Sequence, residues 1–159
     1  LLFRSPTCTK IDKEIALELA SIAGVDAEEF GLAMFKAGTS LVGKTIEEIY
    51  NQDYKAFNIG DAKVGIAQVN TMDIDGFAPL KGEMLEYMEN LCVENGFDTA
   101  VLLLTDVINA TSEVFVAGSH PEYVENAFNV QLVEHEANLP GVISRKKQVV
   151  PAITRAINA

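Results

Sequence analysis

Three consecutive cations, Arg145-Lys146-Lys147, are the residues of this chain whose type and spacing most invite chemistry. The 159 residues hold only 12 lysines and arginines against 23 aspartates and glutamates, and three of the 12 stand side by side here. Pro151 follows four residues after Lys147. A proline has no N–H to donate and clashes with the turn before it, so a helix should begin near Gln148 with the proline in its first turn. Cations just before or in that turn meet the partly positive start of the helix, which disfavours each by roughly 0.3–1 kcal/mol. A bound anion would reverse the sign of that cost. Phosphate is drawn to the N–H groups of a helix start; an arginine can add a two-pronged contact and lysines add point charge. The competing reading is a solvated basic turn that balances Glu134 and Glu136. The residues alone leave both open.

Other candidates are weaker. His120 precedes Pro121 at an expected helix start, where a capping or surface role suffices. His135 lies between Glu134 and Glu136, but neighbours one apart on a strand point to opposite faces, so no metal site is assigned. Asp73 and Asp75 beside Gly76 resemble the start of a calcium loop without its downstream glutamate. No phosphate-binding glycine loop, dinucleotide fingerprint or nucleophile elbow occurs.

The elements that must position the cations follow from periodicity and caps. Thr9 with Asp12 forms a capping-box pattern ahead of Ile15, Leu19 and Ile22, and Gly24 stops that helix. Asp26 caps a second helix closed by Gly38, and Thr45 with Glu48 opens a short third. The period then shortens. Tyr54–Ile59, the Gly60-Asp61 turn and Lys63–Asn70 predict an antiparallel hairpin. Pro79 opens a helix to about Asn95; Thr99–Leu104 is an apolar run fit for a central strand, and Val114–Ala117 a further one. Pro121 begins a helix through Phe128, Val130–Val133 is β-prone, and Asn138-Leu139-Pro140-Gly141 signals a turn. The expectation is a single-domain α/β fold, a mixed sheet with an antiparallel hairpin flanked by helices.

Composition bounds the partners. A net charge of −11 and a pI near 4.5 speak against nucleic acid and acidic membrane surfaces, which need a broad basic face. No apolar stretch is long enough to span a bilayer. Cys8 and Cys92, far apart and outside any CxxC pair, fit reduced thiols in the cytoplasm. The chain opens with Leu1-Leu2-Phe3 instead of methionine, with no turn or cap before it, which predicts a piece of a longer polypeptide.

Three segments, in order, resemble the second domain of the family II inorganic pyrophosphatases of the DHH phosphoesterase superfamily: Leu1-Leu2-Phe3-Arg4-Ser5-Pro6-Thr7-Cys8-Thr9, Ala67-Gln68-Val69-Asn70-Thr71 and Ser144-Arg145-Lys146-Lys147-Gln148-Val149-Val150-Pro151. The resemblance implies a two-domain enzyme that hydrolyses diphosphate to two phosphates. Its first domain would hold Mn²⁺ (or Co²⁺ or Mg²⁺) through histidines and aspartates, including an Asp-His-His motif. Residues 1–159 would be the C-terminal substrate-binding domain, with the metal-binding domain, its partner in the same polypeptide, absent. By the same resemblance Arg145 and Lys146 match the substrate-binding pair, and Lys55, in Asp53-Tyr54-Lys55, matches a third substrate contact. An exopolyphosphatase or related phosphoesterase, a phosphate- or nucleotide-sensing module, and a ligand-free interaction domain are the alternatives.

Overall fold

The computed structural model describes residues 8–72 and 74–159. The opening Leu1-Leu2-Phe3 run, residues 4–7 of the first resembling segment and Asp73 of the calcium-like pattern lie outside the described residues. The chain divides between Ser40 and Leu41 into two compact units.

The first unit is a helix pair. In α1 (Lys10–Ala23) the Thr9 side chain accepts from Asp12 N–H, while the Asp12 carboxylate accepts from Thr9 N–H at 2.8 Å. That reciprocal cap satisfies two of the donors every helix start leaves open. Gly24, in the left-handed conformation, ends α1. Asp26 caps α2 (Ala27–Gly38) through Glu29 N–H at 2.8 Å.

The second unit carries the sheet. After the capping box of α3 (Ile46–Tyr50) the chain enters a 3-10 turn, Asn51–Asp53, and then β1 (Tyr54–Ile59) and β2 (Ala62–Thr71) as the expected hairpin. A 3-10 stretch, Asp75–Leu80, and α4 (Lys81–Asn95) cross over to β3 (Thr99–Asp106), which runs parallel to β2. Then come β4 (Thr111–Gly118), α5 (Glu122–Phe128) and β5 (Glu136–Pro140), with the strands added antiparallel in the order β1-β2-β3-β4-β5. A wide turn, Arg145–Val149, leads into α6 (Val150–Ile157). The architecture is the expected α/β fold with a mixed sheet, its hairpin and flanking helices.

Helices cover both faces of this sheet. On one, Ala67, Val69, Ala100, Leu102, Leu104 and Phe115 pack with Met84 and Met88 of α4 and with Ile49 and Tyr50. On the other, Val64, Ile66, Val101, Leu103, Val114 and Val116 pack with Val124 of α5 and Val149 and Ile153 of the last helical segment. Apolar residues on both faces explain why β3 has no polar alternation.

Three expectations need correction. Pro79 falls within the 3-10 stretch, and α4 starts only at Lys81. Asn138-Leu139-Pro140, read as turn residues, end β5, and the turn itself is at Gly141 (φ 76°). An edge strand tolerates Pro140 because its outward side needs no N–H. Of the β-prone 130–133 stretch only Val133 pairs, in an isolated bridge with Glu136.

Candidate functional site

Residues 64, 66 and 68 of β2 share one face by strand alternation. The first two are the valine and isoleucine of the α6-side core, and the third, Gln68, is polar and buried. Its amide joins three partners. Nε2 donates to Thr105 Oγ1 at 2.9 Å and to the Ile143 carbonyl at 3.0 Å, and Oε1 accepts from Arg145 N–H at 3.0 Å. Thr105 meets Ser112 at 2.9 Å, and Ser112 Oγ donates to the Val142 carbonyl at 2.7 Å. Because the Ser112 proton is committed to Val142, the Thr105 hydroxyl must donate to Ser112. A polar patch at one end of an otherwise apolar face thus pins residues 142–145 to three strands.

The pinned segment is fastened from its own side as well. Gln148 Oε1 accepts from Ile143 N–H at 2.9 Å and Ser144 N–H at 3.0 Å, and its Nε2 donates to the Gly141 carbonyl at 2.8 Å. Ser144 caps the turn by accepting from Lys147 N–H at 3.2 Å. Across Arg145–Val149 the backbone is wound wider than an α-helix. Val149 N–H reaches the Ser144 carbonyl at 3.3 Å, and Val150 N–H reaches that of Arg145. Pro151, lacking an N–H, would leave the Lys147 carbonyl without its α-helical donor, so the usual ladder cannot run through this turn.

The three cations of the turn part company. The Arg145 side chain is only 8 % exposed and reaches across to the start of β1. Its Nη1 donates to the carbonyls of Asp53 and, at 3.3 Å, Ile66; its Nη2 pairs with Asp53 Oδ1 at 2.6 Å. Lys146 and Lys147 are exposed, with no ion-pair partner among the described residues.

Lys55 joins them from the hairpin. It lies directly opposite Ile66 in the β1–β2 register and so shares the face of Ile66 and Gln68. Tyr54 secures that placement. Its ring stands 5.3 Å from Tyr50 and 6.3 Å, edge-on, from Phe97 in the core of the other face, which commits its strand neighbour Lys55 to the α6 side. Lys55 is exposed and also lacks an ion-pair partner among the described residues. The structure therefore ties Arg145, through Asp53 and Ile66, to the hairpin that carries Lys55, while Lys146 shows no hydrogen bond or ion pair with either strand among the described residues. The cations lie in a chain of net charge −11, so their field is local.

Sequence reasoning missed Asp53, Gln68, Ser144 and Gln148. Gln68 left a signal: it interrupts the apolar face at 64 and 66 with a residue that must find partners if buried. Among the described residues no group of three or more histidines, cysteines, aspartates or glutamates is placed to hold a metal ion, and no helix is long and apolar enough to cross a membrane.

Residues 32–156 match the DHHA2 domain family. Over 157 residues the chain is 57% identical to a cobalt-dependent inorganic pyrophosphatase of Clostridium perfringens, covering 99% of this chain and 29% of that protein. It is 48% identical to a manganese-dependent inorganic pyrophosphatase of Bacillus subtilis, covering 51% of it. A crystal structure from Methanococcus jannaschii, assigned to the family II inorganic pyrophosphatases, superposes with a TM-score of 0.80 at 44% identity, over 99% of this chain and 52% of that one. The chain thus spans about half or less of the length of these relatives.

Proposed function

Because this chain belongs to the DHHA2 domain family, we propose that it is the diphosphate-binding part of a metal-dependent inorganic pyrophosphatase, with Lys55, Arg145 and Lys146 as the cations that meet the substrate. The observation that supports this reading is a buried, multiply bonded arginine that joins the hairpin carrying the exposed Lys55 to a cation-rich helical turn, which a lone protein would rather line with acids.

Hydrolysis of diphosphate adds water across the bridging P–O bond and releases two phosphates. In this class of reaction metal ions lower the pKa of a bound water and clamp a phosphoryl group. The described residues do not form such a metal site, so no step of water activation is assigned to them. Their contribution is electrostatic. Negative charge builds on the leaving phosphate as the bridge breaks, and fixed cations that strengthen their contact at that stage raise the rate. Lys146 and Lys55, exposed and unpaired by carboxylates among the described residues, suit that task. Arg145, held from behind by two backbone carbonyls, sets where the phosphoryl oxygens rest.

The test is Lys146→Ala in the full-length polypeptide, with kinetics and manganese titration in parallel. Loss of one preorganised charge contact should reduce kcat/KM by about 10²–10³-fold, with metal affinity unchanged. Comparison of diphosphate with longer polyphosphates and ATP assigns the substrate length. An unchanged kcat/KM removes Lys146 from the site.

A further inference from the structure

The Arg145 guanidinium has five N–H donors, and the structure accounts for three. The two on Nη1 go to the Asp53 and Ile66 carbonyls, and one on Nη2 goes to Asp53 Oδ1. The other Nη2 proton and the Nε proton have no partner among the described residues, and Nε is not among the fully buried unpartnered atoms. Nε and Nη2 together form the side-on fork of a guanidinium, the edge that takes two oxygens of one carboxylate or phosphate. The Asp53 carboxylate bonds Nη2, one of the two nitrogens of that fork. It is 55% exposed, against 8% for its partner, so it can leave toward water without disturbing the core. The backbone carbonyls would still hold the guanidinium in place.

We propose that Asp53 is a resident anion on the Arg145 fork, competing with diphosphate for Nη2 and swinging away when the substrate binds. This rests on the functional reading given above and deepens it. Asp53 lies two residues before Lys55, in the 3-10 turn that leads into that lysine's strand. A diphosphate carries several charges to the single charge of Asp53 and wins the exchange. A singly charged anion gains little over the carboxylate it displaces. Asp53 is thus a positioning residue that keeps the buried guanidinium paired when no substrate is present.

The experiment is steady-state kinetics of the full-length polypeptide carrying Asp53→Asn, which keeps the oxygen acceptor and removes the charge. The expected result is a KM for diphosphate about 3–10-fold lower with kcat within about twofold, and a comparable gain in inhibition by inorganic phosphate, on the scale of losing one partly exposed charge competitor. Asp53→Glu, which restores the charge, returns KM towards the parent value. An unchanged or raised KM in Asp53→Asn overturns the proposal, because a carboxylate that only orients Arg145 should weaken binding when lost. A second arm needs no variant. In the full-length protein crystallised with imidodiphosphate, Asp53 Oδ1 should lie out of hydrogen-bond reach of Nη2, and persistence of that bond with ligand on the fork also overturns it. Arg145→Ala serves as the control. If that change leaves KM and kcat alone, it is the site assignment that fails; if it impairs them while Asp53→Asn does not tighten binding, only the exchange fails.

Discussion

Replacing Gln68 with leucine removes the joint between the sheet and the cationic turn while nearly conserving volume. Its cost follows from the three partners. Arg145 N–H becomes a buried donor without an acceptor, worth about 1–3 kcal/mol. The Ile143 carbonyl is only part-buried and water can reach it, and Thr105 keeps its bond to Ser112, so these two losses together add about 1 kcal/mol. The leucine side chain recovers up to about 1 kcal/mol of apolar burial. With that recovery in full, the net loss is about 1–3 kcal/mol, which at a urea dependence of about 2 kcal/mol per molar lowers the midpoint by about 0.5–1.5 M. Tyrosine fluorescence is the assay of choice. The chain has no tryptophan, and all four tyrosines, Tyr50, Tyr54, Tyr87 and Tyr123, lie in the sheet-bearing unit, so the signal reports that unit alone. A loss under about 0.5 kcal/mol would refute the reasoning, since it would mean that Arg145 N–H finds an acceptor as good as the lost amide.

Other outcomes follow from the same structure. A Cβ at Gly118, which has φ of 104°, would stand 2.6 Å from the Asp98 carbonyl, so Gly118→Ala should cost about 2–4 kcal/mol in the same unfolding assay. Burial, with the charge of Glu89 next, pushes the Cys92 thiol up to about 11. At pH 8 mass spectrometry after maleimide treatment should therefore find Cys8 modified and Cys92 untouched until urea unfolds the chain. Partial burial opposes the charge of Asp106, but bonds from Asn109 N–H, its side-chain amide and Ile108 N–H outweigh it and hold this carboxyl below its usual range. A depressed folded value contributes stability that is present above the unfolded pKa and lost as pH falls through the folded one. Asp106→Asn should accordingly flatten the acid limb of stability between about pH 2 and 5, read as the urea midpoint against pH. The isolated chain should show negligible diphosphate hydrolysis at any added Mn²⁺ concentration, by phosphate release.

What could be read from the residues was what depends on near neighbours. Thr9 with Asp12 and Thr45 with Glu48 cap their helices as their three-residue spacing requires, and Gly24 and Gly96 end theirs in the left-handed conformation. The hairpin and the buried β3 run followed from period and apolarity. The support of the site was hidden because it is non-local. Asp53 and Arg145 are 92 positions apart, Gln68 and Arg145 77, and a single polar residue within a strand does not announce its partner. Pro140 misled for a related reason. Its turn propensity is real, but whether a proline ends a strand or sits inside one depends on which side of the strand is left open, a property of the assembled sheet. The cations were visible, but not their division into one buried and two exposed, because that depends on what stands across from the turn.

The sheet order leaves β1 outermost on its side, with Lys55 on a ribbon whose remaining residues are Tyr54, Ala56, Phe57, Asn58 and Ile59. A strand in that position offers its backbone to any other extended chain, and a charged side chain is a common guard against such stacking. Lys55 is a charge of this kind on the outermost strand, a use separate from the anion contact proposed for it. A Lys55 variant that loses turnover should be weighed by light scattering before its kinetics are interpreted, because an uncharged residue there removes the edge charge together with the proposed ligand contact.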